Sequence, residues 1–309
     1  MSRASRARAV ASAAAVGGAG LVGAGGAFYG LLLGQSKLAR RRIGRPDAAP
    51  PPADGGYGPD GEPVYLAVLG DSGAAGFGVE HPEQTTGAVM ASELARTLDQ
   101  QVQLQCVAVV GAQSGDLQKQ IDEVASQWPD IAVIIIGAND VTHRVPPGRS
   151  VALLTEAIGR LRQHGVEVIV GTCPDLGTVR PIPHPLRWVA RRWSRSLAAA
   201  QTVAAVSAGA RSVALADMLG AEFDAHPDTM FGPDQFHPST AGYRALGEAI
   251  VPVLVEALGV SKAQDAGAAH LEIGRAAAAA AEIGGAEVSP EGKDAVLRPH
   301  PSRSRVPTD

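Results

Sequence analysis

The stretch "YLAVLGDSGAAGFGVE", residues 65–80, is an apolar run that stops abruptly at Gly70-Asp71-Ser72-Gly73. A buried strand that delivers an aspartate, a serine and glycines at its carboxyl end admits more than one use. The glycines can cradle a phosphate at a helix N-terminus. Equally, the serine can be a nucleophile set where a strand turns into a helix. A plain turn with a helix cap is the third reading, and Asp71 is expected in any case to hydrogen-bond neighbouring backbone.

The surrounding sequence repeats the same alternation. Apolar runs start at Val64, Val102 ("VQLQCVAVV"), Ile131 ("IAVIIIG"), Val166 ("VEVIVGT") and Ser212 ("SVALAD"). Helical patterns separate them, starting at Thr86, Leu117 and Ser150, then running from about Leu186 to Ala208 and from Ser239 to about Leu258. Near-continuous apolar strands between helices predict a five-stranded parallel sheet covered on both faces. In such sheets ligands bind beyond the carboxyl ends of the strands.

What stands at those ends is chemically coherent. Asp71-Ser72 follows the first strand and "GAQSGD", with Ser114 and Gly115, the second. "GAND", with Asn139 and Asp140, follows the third, and "TCPDLGT" the fourth. Near the end of the domain comes "GPDQFHPS", with Asp234 and His237. A serine needs a base, and the base needs a partner that fixes its tautomer. Asp234 and His237, three residues apart in a turn-rich segment, suit those roles. Attack on an ester creates an oxyanion, for which the Ser72 and Gly115 N–H groups and the Asn139 amide are candidate donors. Singly, each motif has a plainer use: Asn139-Asp140 can cap a loop, and His237 before Pro238 can be a surface residue.

Taken together and in this order, "GDS", "SGD", "GAND" and "DQFH" resemble the four blocks of the SGNH/GDSL hydrolase family over roughly residues 64–258. The resemblance implies a flavodoxin-like three-layer α/β/α sandwich, with strand order 2-1-3-4-5 by that analogy. It implies a serine esterase or lipase-type hydrolase working through an acyl-enzyme, without metal or other cofactor. Ser72, Asp234 and His237 would be its catalytic triad, and Ser72, Gly115 and Asn139 its oxyanion hole. Thioesterase and acyltransferase chemistry belong to the same scaffold. Two positions depart from the pattern: Gly73 stands where a leucine is usual, and Gly111 where an asparagine is often found. Both bear on the shape of the acyl pocket rather than on the reaction. A small pocket would favour acetyl esters and a long apolar groove fatty acyl ones.

Other classes fit poorly. The glycines at 70, 73 and 76 miss the G-x-G-x-x-G spacing of a dinucleotide fold, and no P-loop or zincin motif occurs. A nucleotide- or phosphate-binding module remains the rival reading. Net charge is −4, which gives no basic field for nucleic acid. Cys106 and Cys173 lie outside any metal-ligand spacing and, three strand spacings apart in a 2-1-3-4-5 sheet, are expected as free thiols. Arg187, Arg191 and Arg195 share one helix face, either a basic contact with a membrane or anionic substrate or a solvated face. Asp175 reads as a turn residue.

The ends differ in composition. Residues 9–34 carry no charge and are flanked by arginines and Lys37, so residues 1–44 are expected to be a signal or membrane-anchor segment. That would place the catalytic domain, expected to be monomeric, outside the cytoplasm. Residues 45–63 read as a flexible linker, 64–260 as the hydrolase domain, and 261–309 as a disordered low-complexity tail. On this reading a chain starting near Pro46 would be soluble and fully active on short esters.

Overall fold

The computed structural model describes residues 26–44, 49–260, 286–288 and 298–299. Its strands are β1 (Gly55–Tyr57), β2 (Val64–Gly70), β3 (Val102–Cys106), β4 (Ile131–Ile135), β5 (Glu167–Gly171), β6 (Arg211–Val213), β7 (Ala286–Val288) and β8 (Arg298–Pro299). They form one sheet in the order β1-β3-β2-β4-β5-β6-β7-β8. The five from β2 to β6 are parallel, and their order is the expected 2-1-3-4-5. Strand β1 is added antiparallel at one edge, and β7 and β8 at the other.

Period-two alternation along the strands feeds two cores. Leu66, Val68, Ile131 and Val133 point to one face, where they meet α3 (Thr86–Leu98) and α10 (Thr240–Val260). Ala67, Leu69, Ala132 and Ile134 point to the other, against α4 (Leu117–Val124) and α6 (Pro147–Gln163). Burying each such Leu, Ile or Val is worth roughly 1.5–3 kcal/mol, which fixes both sheet register and layer order. Helix α7 (Leu186–Ser207) covers the far side, and its Leu197 and Ala198 join a third cluster at the carboxyl end of the sheet with Cys173, Leu176 and Phe231.

The structure departs from the sequence reading at several places. Residues 45–63 are not simply a linker, since Gly55–Tyr57 pairs with β3 and Ala53 is buried. Backbone hydrogen bonds to an open sheet edge, the Cys106 N–H to Asp54 Oδ1 bond of 2.7 Å and the Tyr57 ring hold it there. Within the tail expected to be disordered, β7 and β8 extend the sheet. The fifth apolar run is cut short, because Leu215 onward winds into α8 (Leu215–Ala225). Of the uncharged run 9–34, residues 9–25 lie outside the described residues. Residues 26–43 form helix α1, which lies on the domain with Ala39 buried in the third cluster. Among the described residues no helix is long and apolar enough to cross a membrane.

Candidate active site

Strand β2 ends in a turn that only glycine can make. Gly70 has φ 137°, and a Cβ there would lie 1.9 Å from the Ile135 carbonyl oxygen. The buried Gln120 amide brackets this residue, accepting from its N–H at 2.8 Å and donating to its carbonyl at 2.9 Å. Asp71 then caps the short helix α2 (Ser72–Ala75) by accepting from Gly73 N–H at 3.0 Å. Burial pushes the Asp71 carboxyl up to about 6, opposed by the N–H of Gly73, by His237 and by the N–H of Gly137. From α10, the buried Tyr243 hydroxyl donates to the carbonyls of Phe77 (2.7 Å) and Ser72 (3.3 Å). Ser72 is thereby pinned from both sides of its turn.

The segment 232–238 folds back on itself through Gly232 N–H to His237 carbonyl and Gln235 N–H to Gly232 carbonyl bonds. Asp234 Oδ1 accepts from the N–H groups of Phe236 (2.9 Å) and His237 (3.0 Å). Its Oδ2 lies 2.6 Å from His237 Nδ1, and His237 Nε2 lies 3.1 Å from Ser72 Oγ. Burial works to raise the Asp234 carboxyl, yet the bonds from the imidazole and two backbone N–H groups together hold it below the usual carboxylate range. Phe77 and Phe236 meet the His237 ring edge-on, at centroid distances of 4.6 and 4.8 Å. The ring has little freedom to turn.

The other two blocks meet through Asp140. Its carboxylate accepts from Ser114 N–H (3.1 Å), Ser114 Oγ (2.6 Å) and Ser150 Oγ (3.0 Å). Gly115, the next residue after Ser114, is exposed in the 3₁₀ turn Ser114–Asp116. Asn139 opens α5 (Ala138–Thr142) and lines a cavity together with Ser72 and His237. Gly137, also at φ 137°, precedes α5, and a Cβ there would sit 2.8 Å from that of Cys173. Among the described residues no group of three His, Cys, Asp or Glu is arranged to hold a metal ion.

The model of the GDSL-like lipase/acylhydrolase family matches residues 68–245. The chain belongs to that family. As a GDSL hydrolase it acts on carboxylic esters. It is 39% identical over 254 residues to the GDSL-like esterase Rv1075c of Mycobacterium tuberculosis, covering 77% of this chain and 81% of that one. Among solved structures it is similar to the lipase/acylhydrolase from Enterococcus faecalis, with a TM-score of 0.50 and 19% identity over 66% of this chain and 99% of that one. The lipase Lip_vut3 from a goat rumen metagenome matches with a TM-score of 0.50 and 15% identity, over 60% and 95% of the two chains. Those identities bear on the fold.

Ser72, Gly115 and Asn139 of this GDSL hydrolase follow the carboxyl ends of β2, β3 and β4, and Asp234 and His237 stand on the segment that returns to them. His237 is in hydrogen-bond reach of both Asp234 and Ser72. The sequence reading named Asp140 in the GAND block as a loop cap but not its bonds to Ser114 and Ser150. It missed Gln120, Ser150 and Tyr243, whose only signal was a polar group inside a helical pattern. The arginine face of α7 has structural partners: Arg191 and Arg195 pair with the buried Asp175, and Arg195 also with Asp217. Asp175 is a turn residue as well, capping Gly177 N–H at 2.8 Å.

Proposed function

We propose that this GDSL hydrolase cleaves esters through an acyl-enzyme on Ser72, with His237 as general base and Asp234 as its orienting partner. The observation that carries this reading is the continuous hydrogen-bond path from Asp234 through His237 to Ser72. Asp234 holds Nδ1 protonated, which leaves Nε2 to accept the Ser72 proton as Oγ attacks the carbonyl carbon. The new oxyanion is met by the Ser72 and Gly115 N–H groups and the Asn139 amide. Collapse of the tetrahedral intermediate breaks the C–O bond, and the alcohol leaves with the proton from Nε2. Water then attacks the acyl carbon and gives its proton to Nε2; collapse breaks the bond from the acyl carbon to Ser72 Oγ, which takes that proton back as the carboxylic acid leaves.

The phosphate-cradle reading of the same turn is disfavoured by charge. The N–H of Gly73, where an anion would sit, is already occupied by the Asp71 carboxylate. A phosphate brought to that helix start would face a fixed negative neighbour.

Ser72→Ala tests the assignment. Hydrolysis of ethyl acetate and ethyl butyrate should be lost while the thermal unfolding curve stays close to that of the wild type. Residual turnover within tenfold of the wild type would overturn it.

A further inference from the structure

Two cavities of different size meet at Ser72 and His237. The smaller, of about 90 Å³, is walled by Ile135, Leu215, Phe223, Phe231 and Leu246. A void that holds benzene is about 150 Å³, so this one takes only a short arm of a substrate. The larger, of about 480 Å³, opens from Ser72, His237 and Asn139. It runs between α1 and the start of α7, past Leu32, Leu33, Val141, Ile182, Val189 and Trp193. Its size is that of an ordinary small-molecule site.

The far wall of this groove comes from outside the expected hydrolase domain. Leu32, Leu33, Ser36, Ala39 and Ile43 recur at helical spacing and are at least partly buried, whereas Leu31 and Leu38 point to solvent. Polar groups of α1 and its neighbours fix the helix in place. Gln35 donates to the His184 carbonyl at 2.6 Å and accepts from Leu186 N–H at 3.0 Å. Arg40 donates to the Thr142 carbonyl, and Arg144 to the Tyr29 hydroxyl. With those groups engaged, the surface left facing the nucleophile between α1 and α7 is largely aliphatic and aromatic.

We propose that the enzyme takes an ester with one short and one long apolar arm, and that α1 is the wall that sets how long the second arm can be. This rests on Ser72 as the reacting group. The short arm enters the small cavity, and the long arm lies along the groove against Leu32 and Leu33. Each methylene that leaves water for such a groove raises kcat/KM by about fourfold until the groove is full. Specificity for chain length thus resides in an N-terminal helix that carries none of the catalytic groups.

The test uses the full chain and two ester series followed by pH-stat: alkyl acetates from ethyl to decyl, and ethyl esters of acids from acetic to decanoic. The wild type should show kcat/KM rising with length in one series, and which one rises identifies the arm in the groove. Leu33→Trp, which fills the groove, should cut the ratio of long-ester to short-ester kcat/KM at least tenfold. Leu33→Ala should move the optimum to longer chains, a direction that loss of folding does not produce. Leu38→Gln, on the outward side of α1, should keep the wild-type profile. A wild type flat in both series, or a Leu33→Trp ratio within twofold of the wild type, overturns the proposal. Turnover of the best ester by Ser72→Ala within tenfold of the wild type would instead overturn the reading of Ser72 beneath it.

Discussion

The Ser114 hydroxyl lies 2.6 Å from the Asp140 carboxylate, joining two strand ends that each carry a proposed oxyanion donor. Gly115 follows Ser114, and Asn139 precedes Asp140. One buried carboxylate therefore sets the distance between the loops. Asp140→Asn should lower kcat by about 10–100-fold, equivalent to roughly 1.4–2.8 kcal/mol of misplaced donors, with a smaller change in KM. The same substitution should lower thermal stability, because a charge-assisted bond is weakened and an amide NH2 is buried. A variant with wild-type kcat would show that the two loops hold their spacing without Asp140.

Asn139→Ala removes one donor directly. Steady-state kinetics should show kcat reduced by about 10²–10³ with KM little changed, since the amide acts on charge that appears only in the transition state. A rise in KM at unchanged kcat would assign Asn139 to ground-state binding instead.

Asp71 gives a pH dependence whose sign can be worked out. Its folded pKa of about 6 is raised above the ordinary 3.8, so the native state holds this proton more tightly than the unfolded chain. The group costs nothing below pH 3.8, and the cost grows as pH rises to about 6 and is then constant, at about 3 kcal/mol. Asp71→Asn keeps an oxygen for Gly73 N–H and removes the charge. Urea unfolding should find the variant more stable than the wild type at pH 7.5, by about 1–3 kcal/mol, with the gap closing near pH 4. A gap independent of pH would mean that the buried carboxylate is not the source.

Cys106 and Cys173 should be slow to react in the folded enzyme. Burial pushes the Cys106 thiol up to about 11 and the Cys173 thiol well above its ordinary value. Thiolate is the reactive form, and little of it exists at neutral pH. Iodoacetamide at pH 7.5 should leave both unmodified over the time in which urea-unfolded protein is fully alkylated, as read by intact mass. Rapid native labelling of Cys173 would require the floor beneath Gly137 to open.

Much of this was written locally in the sequence. The parallel strands are long apolar runs, and "GDS" and "DQFH" each fold a few consecutive residues into the turn that their chemistry requires. Residues whose partners are distant were not legible. Tyr243 reaches Ser72 and Phe77 across more than 160 positions, and Gln120 reaches Gly70 across 50. Neither tyrosine nor glutamine in a helix declares such a partner. Strand β1 escaped notice because Gly55-Gly56-Tyr57 pairs through its backbone, and composition does not report an open sheet edge. Helix α1 was obscured because it straddles a change in composition: residues 26–34 belong to the uncharged run, whereas Lys37, Arg40, Arg41 and Arg42 follow on the same helix. Leu32, Leu33, Ser36 and Ala39 are among the positions it turns from solvent, and that pattern shows only once the domain beneath them is placed.

The central claim is that Ser72 is the atom donor of the new bond, activated by His237. It is tested most directly by treating the full chain with an ethyl fluorophosphonate and mapping the adduct by peptide mass spectrometry. One phosphonyl group per chain is expected, on Ser72, with labelling slowed at least a thousandfold in His237→Ala, in line with the loss of a general base. An adduct on any other serine, or labelling of Ser72 at the same rate without His237, would contradict the account.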